Sequence, residues 1–233
     1  MSDIKKIEKE IEKFKSPKKA KILGRFFKTG KGEYGEGQIF LGAKTADKRK
    51  LAKQYRELTF KELQSLLNSK IHDYRFVALV ILDLKFQKAN EEIRKKIAKF
   101  YLKNTKNINN WDLVDISAPK ILGFYLLDKD RSVLHQLAKS KNLWEKRIAV
   151  LSTFAFIREK QFSDTLKIAK ILLNDKHDLI HKAVGWMLRE VGKKDRAVEE
   201  RFLKKHYQTM PRTMLRYAIE RFDRSKRDFY LGR

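Results

Sequence analysis

The chain has 233 residues, and its 55 lysines and arginines against 29 acids give a formal net charge of +26. With 42% hydrophobic and 11% aromatic residues it has the apolar mass for a sizeable core, which excludes a disordered basic tail. No apolar run approaches the roughly 18–20 residues that span a bilayer, and the lack of cysteine excludes disulfides, thiolate metal sites and a thiol nucleophile.

Taken in chain order, the segment from Met1 to Lys15 alternates Ile with Lys and Glu and has no apolar signal region or small-residue cleavage site, so a cytoplasmic protein is expected. Helices are predicted at 2–15 and 18–28. Six of the ten glycines then fall between Gly24 and Gly42. Within them, 29–38 is expected to be a flexible glycine-rich loop. It lacks the Gly-Lys-Ser/Thr ending of a phosphate-binding loop, and Gly35-Glu36-Gly37 follows no strand, so a dinucleotide fingerprint is unsupported.

From Thr45 onward the apolar residues recur at intervals of three and four, as in Leu63, Leu66, Leu67 and Ile168, Ile171, Leu172, which is the period of a helix. The predicted helices are 45–56, 60–68, 72–88, 91–103, 110–127, 131–139, 143–159, 163–173, 177–192, 195–206 and 211–223, with no strand. Thr59-Phe60-Lys61-Glu62 is a capping-box pattern, and Pro211 suits a first helical turn.

The second helices of successive pairs share a character at Arg75, Asp112, Arg147 and Lys182, with offsets of 37, 35 and 35 residues. One helix pair per period is the signature of an α-α solenoid. The expected architecture is therefore all-α, a single 1–233 domain in which equivalent helices line a concave basic groove. Such a charge implies a polyanionic partner.

Asn110-Trp111-Asp112-Leu113-Val114-Asp115 places Trp111 and Asp115 four apart on one helical face, an indole beside a carboxylate. Ordinary first-turn acids next to a core tryptophan fit the same pattern. In Gly185-Trp186-Met187-Leu188-Arg189, Trp186 and Arg189 also share a face; a core tryptophan with a solvated arginine is the plain alternative. Gly185, unfavourable in mid-helix, marks a close approach. Arg147 fits either a solvated helix surface or a bidentate phosphate clamp. His177 and His181 have i,i+4 spacing but lack the Glu of a zinc-protease helix, so a structural or surface role is expected and no metal.

These motifs in this order resemble the AlkD-like DNA alkylation repair family, alkylpurine DNA glycosylases built from HEAT-like helical repeats. The resemblance runs from about Ile22 to Phe222. It rests on Gly35-Glu36-Gly37 with Phe40 to Arg49, Asn110 to Asp115, Trp144-Glu145-Lys146-Arg147, Lys182 to Glu190, and Pro211 to Ala218. It implies a catalytic Asp at Asp115, lesion-flanking tryptophans at Trp111 and Trp186, and a backbone-holding arginine at Arg147. Further DNA contacts match Lys44, Thr45, Arg49 and Arg189. The family often has Pro where Ala46 stands, some members have Trp at Asn110, and an aromatic supplied by some as Tyr is here Phe26, without the hydroxyl.

What the resemblance implies is hydrolysis of the N-glycosidic bond of purines alkylated at N3 or N7 in duplex DNA, by a monomer without cofactor or metal. Such a base is already cationic and leaves without a general acid. An oxocarbenium-like sugar is then stabilised by one carboxylate and electron-rich indole faces, without a tight pocket around the base. Two alternatives of other classes stand beside it: a noncatalytic nucleic-acid-binding protein of the same fold, and a scaffold for an acidic protein partner.

Overall fold

The computed structural model describes residues 3–232. They form fourteen α-helices, with no strand among the described residues beyond one isolated parallel bridge between Ile39 and Ile71. The helices fall into two compact units, 1–117 and 118–233, each with its own core.

The first unit holds α1 (Asp3–Glu12), α2 (Pro17–Phe26), α3 (Thr45–Gln54), α4 (Phe60–Leu67), α5 (His72–Lys88), α6 (Glu91–Lys103) and α7 (Trp111–Ser117). The expected capping box is present: Thr59 accepts from the Glu62 amide and the Glu62 carboxylate accepts from the Thr59 amide at 2.8 Å, so two orphan donors of α4 are satisfied reciprocally. Helix α5 is buried on nearly all sides and is the axis of the unit, with α3, α4 and α7 packed around it. A helix that is buried all round shows little amphipathic bias, and its run from Tyr74 to Leu82 is accordingly apolar apart from Arg75.

The glycine-rich segment folds into a series of turns, closed by hydrogen bonds from the Gly30 amide to Glu33 (2.9 Å), the Gly32 amide to Glu36 (2.8 Å) and the Gly35 amide to the Lys28 carbonyl (2.9 Å). The strap that follows, 38–41, lies on the start of α5. Ile39 donates to the Lys70 carbonyl and accepts from the His72 amide at 2.8 Å, while the Leu41 amide donates to the Asp73 carboxylate at 2.8 Å. Gly42 ends the strap with a φ of +86°, where a Cβ would stand 2.5 Å from the Ser16 carbonyl oxygen. Only glycine meets both demands.

The second unit holds α8 (Ser132–Ala138), α9 (Leu143–Arg158), α10 (Ser163–Ile171), α11 (Asp178–Lys194), α12 (Arg196–His206), α13 (Arg212–Ala218) and α14 (Arg224–Leu231). Helix α9 packs on α8, α10 and α11, and α11 on α12 and α13, so consecutive helix pairs stack as an α-α repeat. At Gly185 a Cβ would fall 2.4 Å from the Met214 carbonyl oxygen and 2.5 Å from Tyr217 Cβ. The close approach expected of this mid-helix glycine is the crossing of α11 and α13.

Three differences from the sequence reading have local causes. The helix expected at 110–127 stops at Ser117, because Pro119 has no N–H to continue the ladder. A π-helical turn, Pro119–Gly123, follows, with Gly123 donating to the Ala118 carbonyl at 2.9 Å. The helix expected at 211–223 tightens after Ala218 into a 3₁₀ turn, Ile219–Arg221. Helix α14 was not expected: its charged surface hides the period, yet Asp223 caps its start by accepting from the Lys226 amide and Gly232 ends it at a φ of +64°.

Candidate functional site

The residues singled out in the sequence divide between the two units. Lys44, Thr45, Arg49, Trp111 and Asp115 belong to the first; Arg147, Trp186 and Arg189 belong to the second.

In the first unit, Trp111 opens α7 and its indole is half-buried. Its amide is held by the side chain of Asn110, whose Oδ1 accepts at 2.8 Å. Asn110 is fully buried, and its Nδ2 donates to Gln38 Oε1 at 3.1 Å while Gln38 Nε2 donates to the Asn109 carbonyl at 2.8 Å. The strap beyond the glycine-rich turns thereby fixes the start of α7.

The indole itself lies against two rings from the end of α2. Phe27 stacks on it at 5.1 Å and 21°, and Phe26 meets it edge-on at 5.8 Å and 73°. These are the geometries that the ring quadrupole favours. Phe27 in turn stacks on Phe40 at 4.9 Å, and Phe40 on the imidazole of His72 at 4.4 Å. His72 is 1% exposed, and its Nε2 lies 2.9 Å from Asp112 Oδ1. Asp112 therefore holds the histidine that ends the stack begun by its neighbour Trp111.

Asp115 stands one turn after Trp111 and is half-buried. Its charge joins burial in raising the pKa of the Tyr101 phenol, burial being the larger cause, so Tyr101 stays neutral and bonds Ser117 Oγ at 2.9 Å. Arg75 is buried beside this region. Desolvation pulls its pKa down to about 10, against the pull of the Asp112 carboxylate, which favours the cation. A cleft of ≈ 310 Å³ opens next to the stack, lined by Ile22, Leu23, Phe26, Phe40, Lys44, Thr45, His72 and Asp112.

Lys44 and Thr45 are exposed at the start of α3, and Arg49 lies one turn on with its guanidinium 5.9 Å from the Phe76 ring. The neighbouring Lys48 is buried: it sits 4.2 Å over the Phe76 ring and 3.5 Å from the fully buried Asp73. The cations at this end of the chain thus differ in kind: Lys44, just before α3, is exposed and Arg49 half-buried, whereas Lys48 is committed to the core.

In the second unit, Trp186 is half-buried on α11. Its Nε1 donates to Glu190 Oε1 at 3.0 Å, and Phe154 lies 6.2 Å away at 41°. Glu190 also receives Lys193 at 2.7 Å, and Arg189 is paired with Glu220. Arg147 is only 5% exposed; its Nη1 donates to the Leu179 carbonyl at 2.7 Å, at the first turn of α11. His177 caps α11 through Nδ1, which accepts from the Leu179 amide at 3.1 Å, and His181 Nε2 bonds the Asp175 carbonyl. Burial lowers the His177 pKa, in keeping with a neutral ring that accepts.

A model of the DNA alkylation repair enzyme family matches residues 7–222. The chain belongs to this family. Its fold is similar to that of a predicted DNA alkylation repair enzyme from Enterococcus faecalis, with a TM-score of 0.69 and 17% identity over 90% of this chain and 97% of that one. No curated protein matches the chain. Among the described residues, no helix is long and apolar enough to cross a membrane.

For this DNA alkylation repair family member, sequence reasoning missed the rings and polar groups that hold the indoles. Phe27 is not singled out by the sequence, Phe40 enters only within the Phe40 to Arg49 stretch of the resemblance, and His72 only as the start of a predicted helix. Phe26, the exposed ring beside Phe27, is named only through the resemblance. Nothing in the sequence pairs Gln38 with Asn110, 72 residues apart.

Proposed function

We propose that this protein is a monofunctional DNA glycosylase that hydrolyses the N-glycosidic bond of N3- and N7-alkylated purines, such as 3-methyladenine and 7-methylguanine, in duplex DNA. The observation that carries the reading is Trp111: a half-buried indole, stacked on Phe27 and met edge-on by Phe26, with the Asp115 carboxylate one helical turn away, in a chain of the DNA alkylation repair enzyme family. A core tryptophan needs no such presentation.

The alkylated purine carries a positive charge that its departure relieves. The C1′–N bond breaks with both electrons going to the base, which leaves neutral, and water adds to C1′ and loses a proton. The sugar is positive in between. A carboxylate and indole faces stabilise that charge, the roles assigned to Asp115, Trp111 and Trp186. Lys44, Thr45, Arg49 and Arg189 contact the DNA backbone, which carries no sequence information. For Arg147 the same role requires its bond to the Leu179 carbonyl to be exchanged for phosphate oxygens. The excess of +26 supplies salt-dependent affinity by neutralising phosphates. The protein acts as a cytoplasmic monomer in base excision repair, without metal or cofactor and without a tight pocket around the base.

The test is base release from methylated duplex DNA. Wild-type protein frees 3-methyladenine or 7-methylguanine, and Asp115→Asn lowers the single-turnover rate by about 10²–10³-fold while DNA binding persists. Wild-type protein that binds such DNA yet frees no base would make this chain the noncatalytic DNA-binding member of the fold.

A further inference from the structure

Four stacked or packed rings in the first unit form a closed circuit. It runs from Trp111 through Phe27 and Phe40 to His72, and from His72 Nε2 across 2.9 Å to Asp112, the residue after Trp111. Stacked planes resist tilting but slide on one another, because offset geometries of similar energy lie close together. A directional hydrogen bond removes that freedom at one end of the pile. The other end is the indole.

His72 is a costly choice for mere filling. It is 1% exposed, and its Nδ1 is buried without a hydrogen-bond partner. A phenylalanine would stack on Phe40 as well and strand no nitrogen, and buried polar atoms left unsatisfied are uncommon enough to need a reason. What the imidazole adds is the bond to Asp112. Arg75, one turn further along α5 and itself buried, bears its charge on the same carboxylate.

From this circuit we propose that His72 is a positioning residue for Trp111, which sets the indole plane through Phe40 and Phe27 and is clamped by Asp112. The inference rests on the role given to Trp111 above and adds the group that controls it. His72 touches no substrate in this scheme.

The experiment has two readouts on the full chain. In a Trp144→Phe, Trp186→Phe background Trp111 is the one remaining indole, because the chain has three tryptophans, and acrylamide quenching of its fluorescence reports how firmly it is held without any need for activity. His72→Phe keeps the ring and removes the bond, and is expected to raise quenching about twofold; His72→Gln restores a donor near the Nε2 position and brings it back part of the way. With the native tryptophans present, His72→Phe is expected to lower single-turnover base release about tenfold, as small misplacements do, with the DNA dissociation constant within about twofold. Asp112→Ala gives the same pattern from the other side of the bond and serves if His72→Phe does not fold. Unchanged quenching in both variants overturns the proposal, as does a loss of release that follows weakened DNA binding. If wild-type protein frees no base, the glycosylase reading fails while the quenching arm still judges His72.

Discussion

The two units differ in how their closest helix contacts near the tryptophans are made. In the second, side chains are removed: the α11–α13 crossing depends on the bare Cα of Gly185, and the π-helical turn meets α9 at Gly123, where a Cβ would fall 2.4 Å from the Ser152 carbonyl oxygen. In the first, side chains are added: stacked rings, a buried Lys48–Asp73 pair and a buried histidine fill the space between α2, α3, α5 and α7. Trp111 and Trp186, one in each unit, also differ. Trp111 is oriented by π faces, whereas Trp186 is oriented mainly by a hydrogen bond to Glu190 on its own helix. The orientation of Trp111 therefore depends on three other segments, and that of Trp186 largely on one.

The largest test of this contrast removes a charge from the first unit. Lys48→Met leaves Asp73 buried without its cation, which costs about 3–5 kcal/mol, read as a fall in the urea midpoint of unfolding. A loss below about 1 kcal/mol would mean that Asp73 is satisfied by the Leu41 amide alone. Next, adding one methyl to the second unit at Gly185→Ala forces backbone apart and costs about 1–3 kcal/mol in the same measurement; an unchanged midpoint would remove the contrast.

The smallest effect concerns Glu199 on α12, where the second unit buries an acidic group. Glu199 is 1% exposed and faces Gly192, whose missing side chain leaves room for it. Desolvation raises its pKa to about 8, opposed by Arg196, while the unfolded chain keeps the ordinary 4.5. Between those values the folded state holds a proton that the unfolded state has lost. Folding stability therefore falls as pH rises from about 4.5 to about 8 and stays low above. Glu199→Gln should flatten that slope and stabilise the protein at pH 8.5 by about 1–2 kcal/mol relative to wild type. Parallel pH profiles of the two proteins would refute this.

Local order was readable because it is set by neighbours in the chain. Helix periods, the Thr59–Glu62 capping box and the packing role of Gly185 each depend on a short window or on one residue type with few uses. The end of α7 was misjudged although Pro119 was in view, since a proline within an apolar period can kink a helix as well as stop it. Trp111 and Asp115 could be singled out from their spacing, but not Phe27, Phe40 or His72, whose importance lies in planes brought together from distant segments. For Arg147 the sequence left a solvated surface or a phosphate clamp open, and the structure buries it, with its guanidinium on the Leu179 carbonyl, a packing partner 32 residues away that no local window contains.

The bonds between Gln38 and the Asn109–Asn110 segment also bear on how the first unit folds. Stacked helix pairs ordinarily gain order locally and can nucleate anywhere along the array. Here a buried amide pair joins residues 72 apart, so the chain must close a long loop before either partner is satisfied, and the entropy of that closure is spent before the bond forms. Synthesis on the ribosome meets the same requirement: the strap emerges early, but Gln38 cannot reach its partners until Asn109 and Asn110 have been made. The bonds between the strap and the start of α7 are thus among the last that synthesis of the first unit allows to form.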